Sequence, residues 1–131
     1  AKRGATAVGI EYNPAMVELS IRMAKAAGVS HLAEFVQGDM YEADISKATA
    51  LVLFLLPVNM NKLEPKFLAL KPGTRIVANT FSFDQWEPDV REALVDSTCS
   101  SWCTALLWIV PARAGGTWTM GKDTLVLEQD Y

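Results

Sequence analysis

The chain has no long hydrophobic run. The longest, Ala50 to Leu56, is strand length and falls well short of the ~20 residues of a membrane span. It has no basic stripe either. Its 12 Lys and Arg are scattered among 15 Asp and Glu, for a net charge of -3. No membrane and no nucleic-acid partner is therefore expected. Histidine is nearly absent: His31 stands alone in a loop after Gly28-Val29-Ser30 and reads as a surface residue. The two cysteines, Cys99 and Cys103, suit neither a common zinc site nor a CxxC redox pair. They read as ordinary thiols, and no metal site is expected. No signal peptide is visible, so the expected location is cytoplasmic. The chain opens on Ala1-Lys2-Arg3 without methionine, which leaves room for a leader ahead of it. No internal repeat or low-complexity segment occurs.

What is present is a core. Half of the 131 residues are hydrophobic, enough for one globular domain. Thr6 to Glu11 reads as a buried parallel strand ending in an acid, with both faces covered. Asn13-Pro14 starts a helix as cap and first residue. Val17, Ile21 and Ala24 share its core face, and Gly28 ends it. Glu34–Gln37 is a short strand stopped by Gly38-Asp39. Ala50–Leu56 is the most apolar strand, expected in mid-sheet and closed by Pro57. A helix follows with Met60, Leu63, Phe67 and Leu70 on one side, and Pro65 should kink or split it. Leu70-Lys71-Pro72-Gly73 is a turn into the buried strand Arg75–Asn79. Asp84 to Asp89 is a loop centred on Trp86. Thr104–Pro111, a turn at Ala114-Gly115-Gly116, a returning strand Thr117–Met120 and a last strand Thr124–Gln129 complete the chain. The fold class is α/β: a mostly parallel sheet with helices on both faces and a C-terminal antiparallel hairpin.

Three marks, in order, resemble the class I S-adenosylmethionine-dependent methyltransferases. They are the acid-ended strand Gly9-Ile10-Glu11 with Tyr12, then Gly38-Asp39-Met40, then Leu70-Lys71-Pro72-Gly73-Thr74-Arg75. The resemblance implies a Rossmann-like sheet and S-adenosylmethionine as cofactor. It implies that Glu11 grips the ribose hydroxyls and Tyr12 borders the adenine. It also implies that Asp39, after Gly38, accepts from the adenine amino group while the Met40 backbone N–H meets a ring nitrogen. Plainer roles stand beside these: packing for Tyr12, and capping of the next turn for Asp39.

The family's glycine-rich loop after its first strand has no counterpart here. Ala1-Lys2-Arg3-Gly4-Ala5 resembles the end of the helix that follows that loop. The expectation is a partial methyltransferase domain over residues 1–131, with the first, central strand missing. Its absence would open backbone edges on Thr6–Glu11 and Ala50–Leu56, inviting rearrangement or a homo-oligomer through swapped strands.

Substrate contacts should come from beyond the strand carboxyl ends. Pro57, Asn59, Asn61 and Trp86 are the candidates there, with Phe81 and Phe83 as further walls of an aromatic or lysine-aliphatic channel. Helix capping by Asn and core packing of the aromatics are the alternatives. The stretch from Phe54 through Trp86-Glu87-Pro88 also resembles non-SET protein lysine methyltransferases. The acceptor is then a protein lysine or a small molecule carrying an amine, thiol or hydroxyl, and the fragment itself is expected to be inactive. Two other classes fit parts of the pattern: a Rossmann oxidoreductase using NAD, and a non-catalytic methyltransferase-like interaction module.

Overall fold

The computed structural model describes residues 1–93 and 99–129; the expected domain end, Tyr131, lies outside them. The chain divides into two compact units, Ala1–Asp44 and Ile45–Tyr131.

In the first unit, β1 (Ala7–Glu11) pairs in parallel with β2 (Ala33–Gln37), and α1 (Pro14–Ala26) connects them. Asn13 caps α1: its side chain accepts from the Ala15 N–H at 2.9 Å, with Pro14 at the first helical position. Gly28, at φ +68°, reverses the chain after the helix. Gly9 lies opposite Phe35, and a Cβ there would meet the Phe35 ring at 2.7 Å. That strand position therefore needs glycine.

Three expectations fail in this unit. Val17 and Ala24 are buried, but Ile21 is 49% exposed and leaves the core face. β1 is not covered on both faces; Val8 is exposed, because β2 is the only strand beside β1 among the described residues. Residues 1–4 form a turn rather than a helix end, closed by the Gly4 N–H donating to the Ala1 carbonyl at 2.8 Å.

The second unit holds β3 (Ala50–Leu53), α2 (Pro57–Leu68), β4 (Arg75–Asn79), β5 (Val90–Ala93) and β6 (Thr104–Ile109). The strand order is β3-β4-β6-β5, with β3 and β4 parallel and β6 antiparallel to both its neighbours. Strand alternation puts Ile76 and Ala78 of β4 on one face, directly opposite Trp108 and Leu106 of β6. These four, with Met60, Leu63 and Phe67 of α2, are buried and form the core. Phe83 ties the layers together: its ring lies 6.1 Å from Phe67 and 4.9 Å from Trp108.

Here too the structure corrects the sequence reading. The apolar run stops being strand at Leu53, because Leu56 already serves as the N-cap of α2 ahead of Pro57. β3 is an edge strand, not a central one, and Val52 is 85% exposed. Pro65 does not split α2; it sits in the last turn, where few helical bonds follow it. β5 was not expected. The strand Thr117–Met120 does not return onto β6, because β4 and β5 already occupy both edges of β6. Instead β7 (Gly116–Met120) and β8 (Asp123–Leu127) form their own antiparallel hairpin. Gln129 joins this hairpin to the segment after β6. Its Nε2 donates to the Ala112 carbonyl at 2.6 Å, and its Oε1 accepts from Ala114 and Gly115 at 2.8 and 3.1 Å. No helix among the described residues is long and apolar enough to cross a membrane.

The turn into β4 makes a testable demand. The Thr74 N–H donates to the Lys71 carbonyl at 3.0 Å, with Pro72 and Gly73 between. Gly73 has φ +84° and open space where a Cβ would be. This is the arrangement of a type II turn. Gly73→Ala should therefore cost about 1–2 kcal/mol through the backbone alone. Gly73→Asn should cost less, since Asn tolerates the left-handed region. Chemical denaturation of the two variants checks the order.

Candidate functional site

The acid at the end of β1 is held in place by its own turn. Glu11 Oε1 accepts from the Asn13 N–H at 2.8 Å. Its other oxygen has no partner among the described residues. The register Glu11↔Gln37 brings the carboxyl ends of β1 and β2 level, and the Gly38 N–H donates to the Glu11 carbonyl at 3.0 Å. Glu11 and Gly38-Asp39 thus stand at one end of the same two-stranded ribbon. Tyr12 beside them is 77% exposed.

Asp39 takes the capping role. Its Oδ1 accepts from the Tyr41 N–H at 2.8 Å, and its carbonyl accepts from Glu42 and Ala43. One carboxylate oxygen is left over on Asp39 as on Glu11. A cavity of about 320 Å³ opens beside it, lined by Val8, Ile10, Val36, Gly38, Asp39 and Glu42 among others. Its walls are aliphatic and its rim is acidic. A flat, apolar ring system carrying N–H donors suits that donor set, so the residues present fit an adenosine. Glu11, Tyr12 and Met40 do not line the cavity.

The substrate-side candidates fall in the second unit. Pro57 is the first residue of α2, and Asn59 and Asn61 follow in the helix. Asn61 does not cap it; it braces the loop after β4. Its Nδ2 donates to Asp84 Oδ2 at 2.7 Å, and its Oδ1 accepts from the Asp84 N–H at 2.9 Å. Trp86 is buried, stacked on Phe83 at 5.2 Å, and its carbonyl accepts from the Trp108 indole at 2.9 Å. Phe83 and Trp86 are core. Phe81 is different: its ring lies 5.8 Å from Phe54, away from that cluster.

The reciprocal Asn61–Asp84 pair places a negative charge near Glu64. Partial burial, then the Asp84 charge, holds the Glu64 carboxyl above the ordinary carboxylate range. A raised carboxyl contributes stability in its protonated form, below the ordinary range, and loses it as pH rises through the raised value. Glu64→Gln should therefore melt higher than the parent at neutral pH. The gap should close toward about pH 4, as thermal melts at the two pH values would show.

The ANTKMT methyltransferase domain family matches residues 1–90, which include β1, α1, β2, β3, α2 and β4. The chain belongs to this family. A protein-lysine N-methyltransferase from Saccharolobus islandicus is 40% identical over 84 residues, 63% of this chain and 52% of that protein. An ATP synthase lysine N-methyltransferase of Mus musculus is 39% identical over 90 residues, 68% of this chain and 36% of that protein. The chain thus spans about half the length, or less, of the curated relatives it matches. Among solved structures, an RNA methyltransferase from Salinibacter ruber in complex with S-adenosyl-L-homocysteine aligns with a TM-score of 0.76. It is 39% identical, and the alignment covers 92% of this chain and 71% of that one.

Two features of this ANTKMT-family chain escaped the sequence reading. Cys99 and Cys103 are not thiols but a disulfide, with Cα atoms 5.9 Å apart. The chain turn between them brings the sulfurs together, which residue spacing alone does not reveal. Trp102, inside that loop, is 60% exposed and meets Phe54 edge-on at 5.3 Å. A lone aromatic between two cysteines was the available signal. His31 is exposed in the turn before β2, as expected. Among the described residues no group of three or more His, Cys, Asp and Glu side chains could hold a metal ion.

Proposed function

We propose that the protein transfers a methyl group from S-adenosylmethionine to a protein lysine. The observation that carries this is the pairing of free carboxylate oxygens, on Glu11 and Asp39, at one end of a parallel ribbon in an ANTKMT-family domain. In sheets of this kind ligands sit beyond the strand carboxyl ends. Glu11 would accept from the ribose hydroxyls through its unused oxygen. Asp39 would accept from the adenine amino group at the rim of the aliphatic cavity, with Gly38 and Met40 beside it and Tyr12 bordering the ring. When bound, S-adenosylmethionine supplies a sulfonium methyl that passes in line to the nucleophile as the S–C bond breaks and the new bond forms. The chain's own residues mainly position the reactants.

The lysine reading rests on two relatives whose names specify lysine, one from Saccharolobus islandicus and one from Mus musculus. The net charge of -3 supports a protein acceptor over RNA. A second reading, methyl transfer to RNA, is favoured by the Salinibacter neighbour, which is described as an RNA methyltransferase. The open edges of β1 and β3 belong to the proposal as well. Each has one strand neighbour among the described residues, so each can accept a further strand from elsewhere in the protein or from a second copy.

The test is transfer of a radiolabelled methyl group from the cofactor into cell extract. Label that is protease-sensitive and elutes as methyl-lysine after acid hydrolysis supports the proposal. Nuclease-sensitive label overturns it in favour of RNA. Protein that neither transfers label nor binds S-adenosylmethionine by calorimetry leaves an interaction module.

A further inference from the structure

Three aromatic rings meet at one end of the second unit's sheet. Phe54 follows β3 directly, Phe81 follows β4, and Trp102 precedes β6. β6 runs antiparallel to β4, with Asn79 opposite Ala105, so the start of β6 lies at the carboxyl end of β4. All three rings therefore stand where the parallel strands end. Phe54 lies 5.8 Å from Phe81 and 5.3 Å from Trp102. They are not core: Phe54 is 55% exposed and Trp102 60%.

Beside Trp102 opens a cavity of about 240 Å³, bordered by Val52, Val77, Asn79 and the two cysteines among others. That is below the ~300–1,000 Å³ of sites for drug-sized ligands. It is the scale of a single extended side chain. Val52 lies opposite Val77 in the register, one residue out of step with the buried Ile76 and Ala78. The cavity thus lies on the sheet face away from the core. Its walls are aliphatic and aromatic, and Asn79 contributes a polar side chain.

The backbone around these rings is unusual. Among the described residues, the non-glycine residues with positive φ are Thr80, at +67°, and Trp102, at +56°. For a β-branched or bulky residue such angles are rare and costly. Both flank this cavity. Thr80 is the centre of a tight turn in which the Phe81 N–H donates to the Asn79 carbonyl at 2.7 Å. Its Oγ1 donates to Asn79 Oδ1 at 2.9 Å, and its N–H donates to the Thr104 carbonyl at 2.7 Å. Trp102 is held by the Cys99–Cys103 bridge, which closes a five-residue ring around it. Two separate devices thus fix Phe81 and Trp102 against Phe54, although simple packing would bury these rings.

We propose that Phe54, Phe81 and Trp102 form an aromatic slot for the alkylammonium side chain of the acceptor lysine, with the Cys99–Cys103 bridge holding Trp102 in place. The proposal deepens the lysine reading given above and rests on it for the identity of the acceptor. The chemistry is complementary. Ring faces attract a cation through their quadrupoles, most strongly for Trp, and the same faces take the methylene stem. Asn79 offers an oxygen to an N–H donor.

The slot is tested by titrating the protein with Nα-acetyl-Nε-trimethyl-lysine amide and with its neutral tert-butyl isostere. The indole N–H signals are followed by NMR. The Trp102→Phe variant identifies the Trp102 signal. The expected result is a saturable shift of that signal with the cation, and affinity for the isostere about tenfold lower. Trp102→Ala should weaken cation binding about tenfold, with Phe54→Ala following it. Trp102→Phe, which keeps a ring, should lose less. Thermal melts show whether each variant folds. Equal affinity for cation and isostere, or no shift with either, overturns the slot. Dithiothreitol reduces the bridge to two thiols and itself closes to a cyclic disulfide. Reduction should weaken cation binding severalfold in the parent, and leave a Cys99→Ser, Cys103→Ser variant, already weak, unchanged. Undiminished binding by the reduced parent overturns the role given to the bridge. Calorimetry with S-adenosylmethionine separates the two levels of the argument. A protein that binds the cofactor but not the cation keeps the methyltransferase reading and loses the slot. One that binds the cation but not the cofactor keeps the slot and loses that reading.

Discussion

Glu11→Ala should lower the affinity for S-adenosylmethionine about a hundredfold. A ribose diol offers two donors to one carboxylate, and hydrogen bonds to a charged group contribute roughly 1.5–3 kcal/mol each. About 1.4 kcal/mol is a factor of ten, so losing some 3 kcal/mol is a factor of a hundred. The variant also removes the acceptor of the Asn13 N–H at the start of α1. Part of any loss could then come from a frayed helix. Glu11→Gln separates the effects, because its side-chain carbonyl still accepts from Asn13 while the charge is gone. It should fold as the parent does and lose about tenfold in affinity. Isothermal calorimetry gives the affinities, and thermal melts give the helix contribution. A loss under threefold in Glu11→Ala would remove Glu11 from the cofactor site.

The largest effect on stability is expected at Trp108. Its side chain is fully buried at the centre of the β4–β6 face, and its ring meets Phe83 at 4.9 Å. Trp108→Ala should cost about 3–5 kcal/mol, as large-to-small core substitutions do. Native domains are stable by only about 5–15 kcal/mol, so this is a large share of the total. Trp108→Phe keeps most of the packing but removes the indole N–H. The Trp86 carbonyl then loses its donor at 2.9 Å. An unsatisfied buried acceptor costs about 1–3 kcal/mol, which sets the expected loss for the Phe variant. Urea denaturation distinguishes the two steps. Equal losses for Phe and Ala would mean that the hydrogen bond, not the ring, supports this layer.

What the sequence revealed was local, and what it hid was not. The end of β1 at Glu11, the turn at Gly38-Asp39 and the turn at Lys71-Pro72-Gly73 are short-range events. Each is set by a glycine, a proline or an acid acting on its own neighbours, and each stands where the residues implied. Burial was harder to read. Phe81, Phe83 and Trp86 are alike in sequence, yet two enter the core and one joins Phe54 at the surface. The turn at Thr80, which no residue type announces, separates their fates. β5 was missed because Val90-Arg91-Glu92-Ala93 has neither alternation nor bulk; it is a strand because β6 offers it an edge. The same edge arithmetic put Ala50–Leu53 outermost, although its composition suits a strand covered on both sides. Of the candidate site, Glu11 and Asp39 retain a carboxylate oxygen for a ligand, while Asn61 and Trp86 are committed to internal contacts. Trp102 entered only with the disulfide.

The β7–β8 hairpin is joined to β6 by side-chain bonds from Gln129 rather than by a shared ladder. An element attached in this way shares no register with the sheet. Strands could be lengthened, shortened or exchanged there without shifting a single pairing in β3, β4, β5 or β6. The hairpin is therefore the place where this domain can diversify most cheaply, by insertion in evolution or by grafting a recognition loop in the laboratory. Gln129 would be the one residue such a graft must keep.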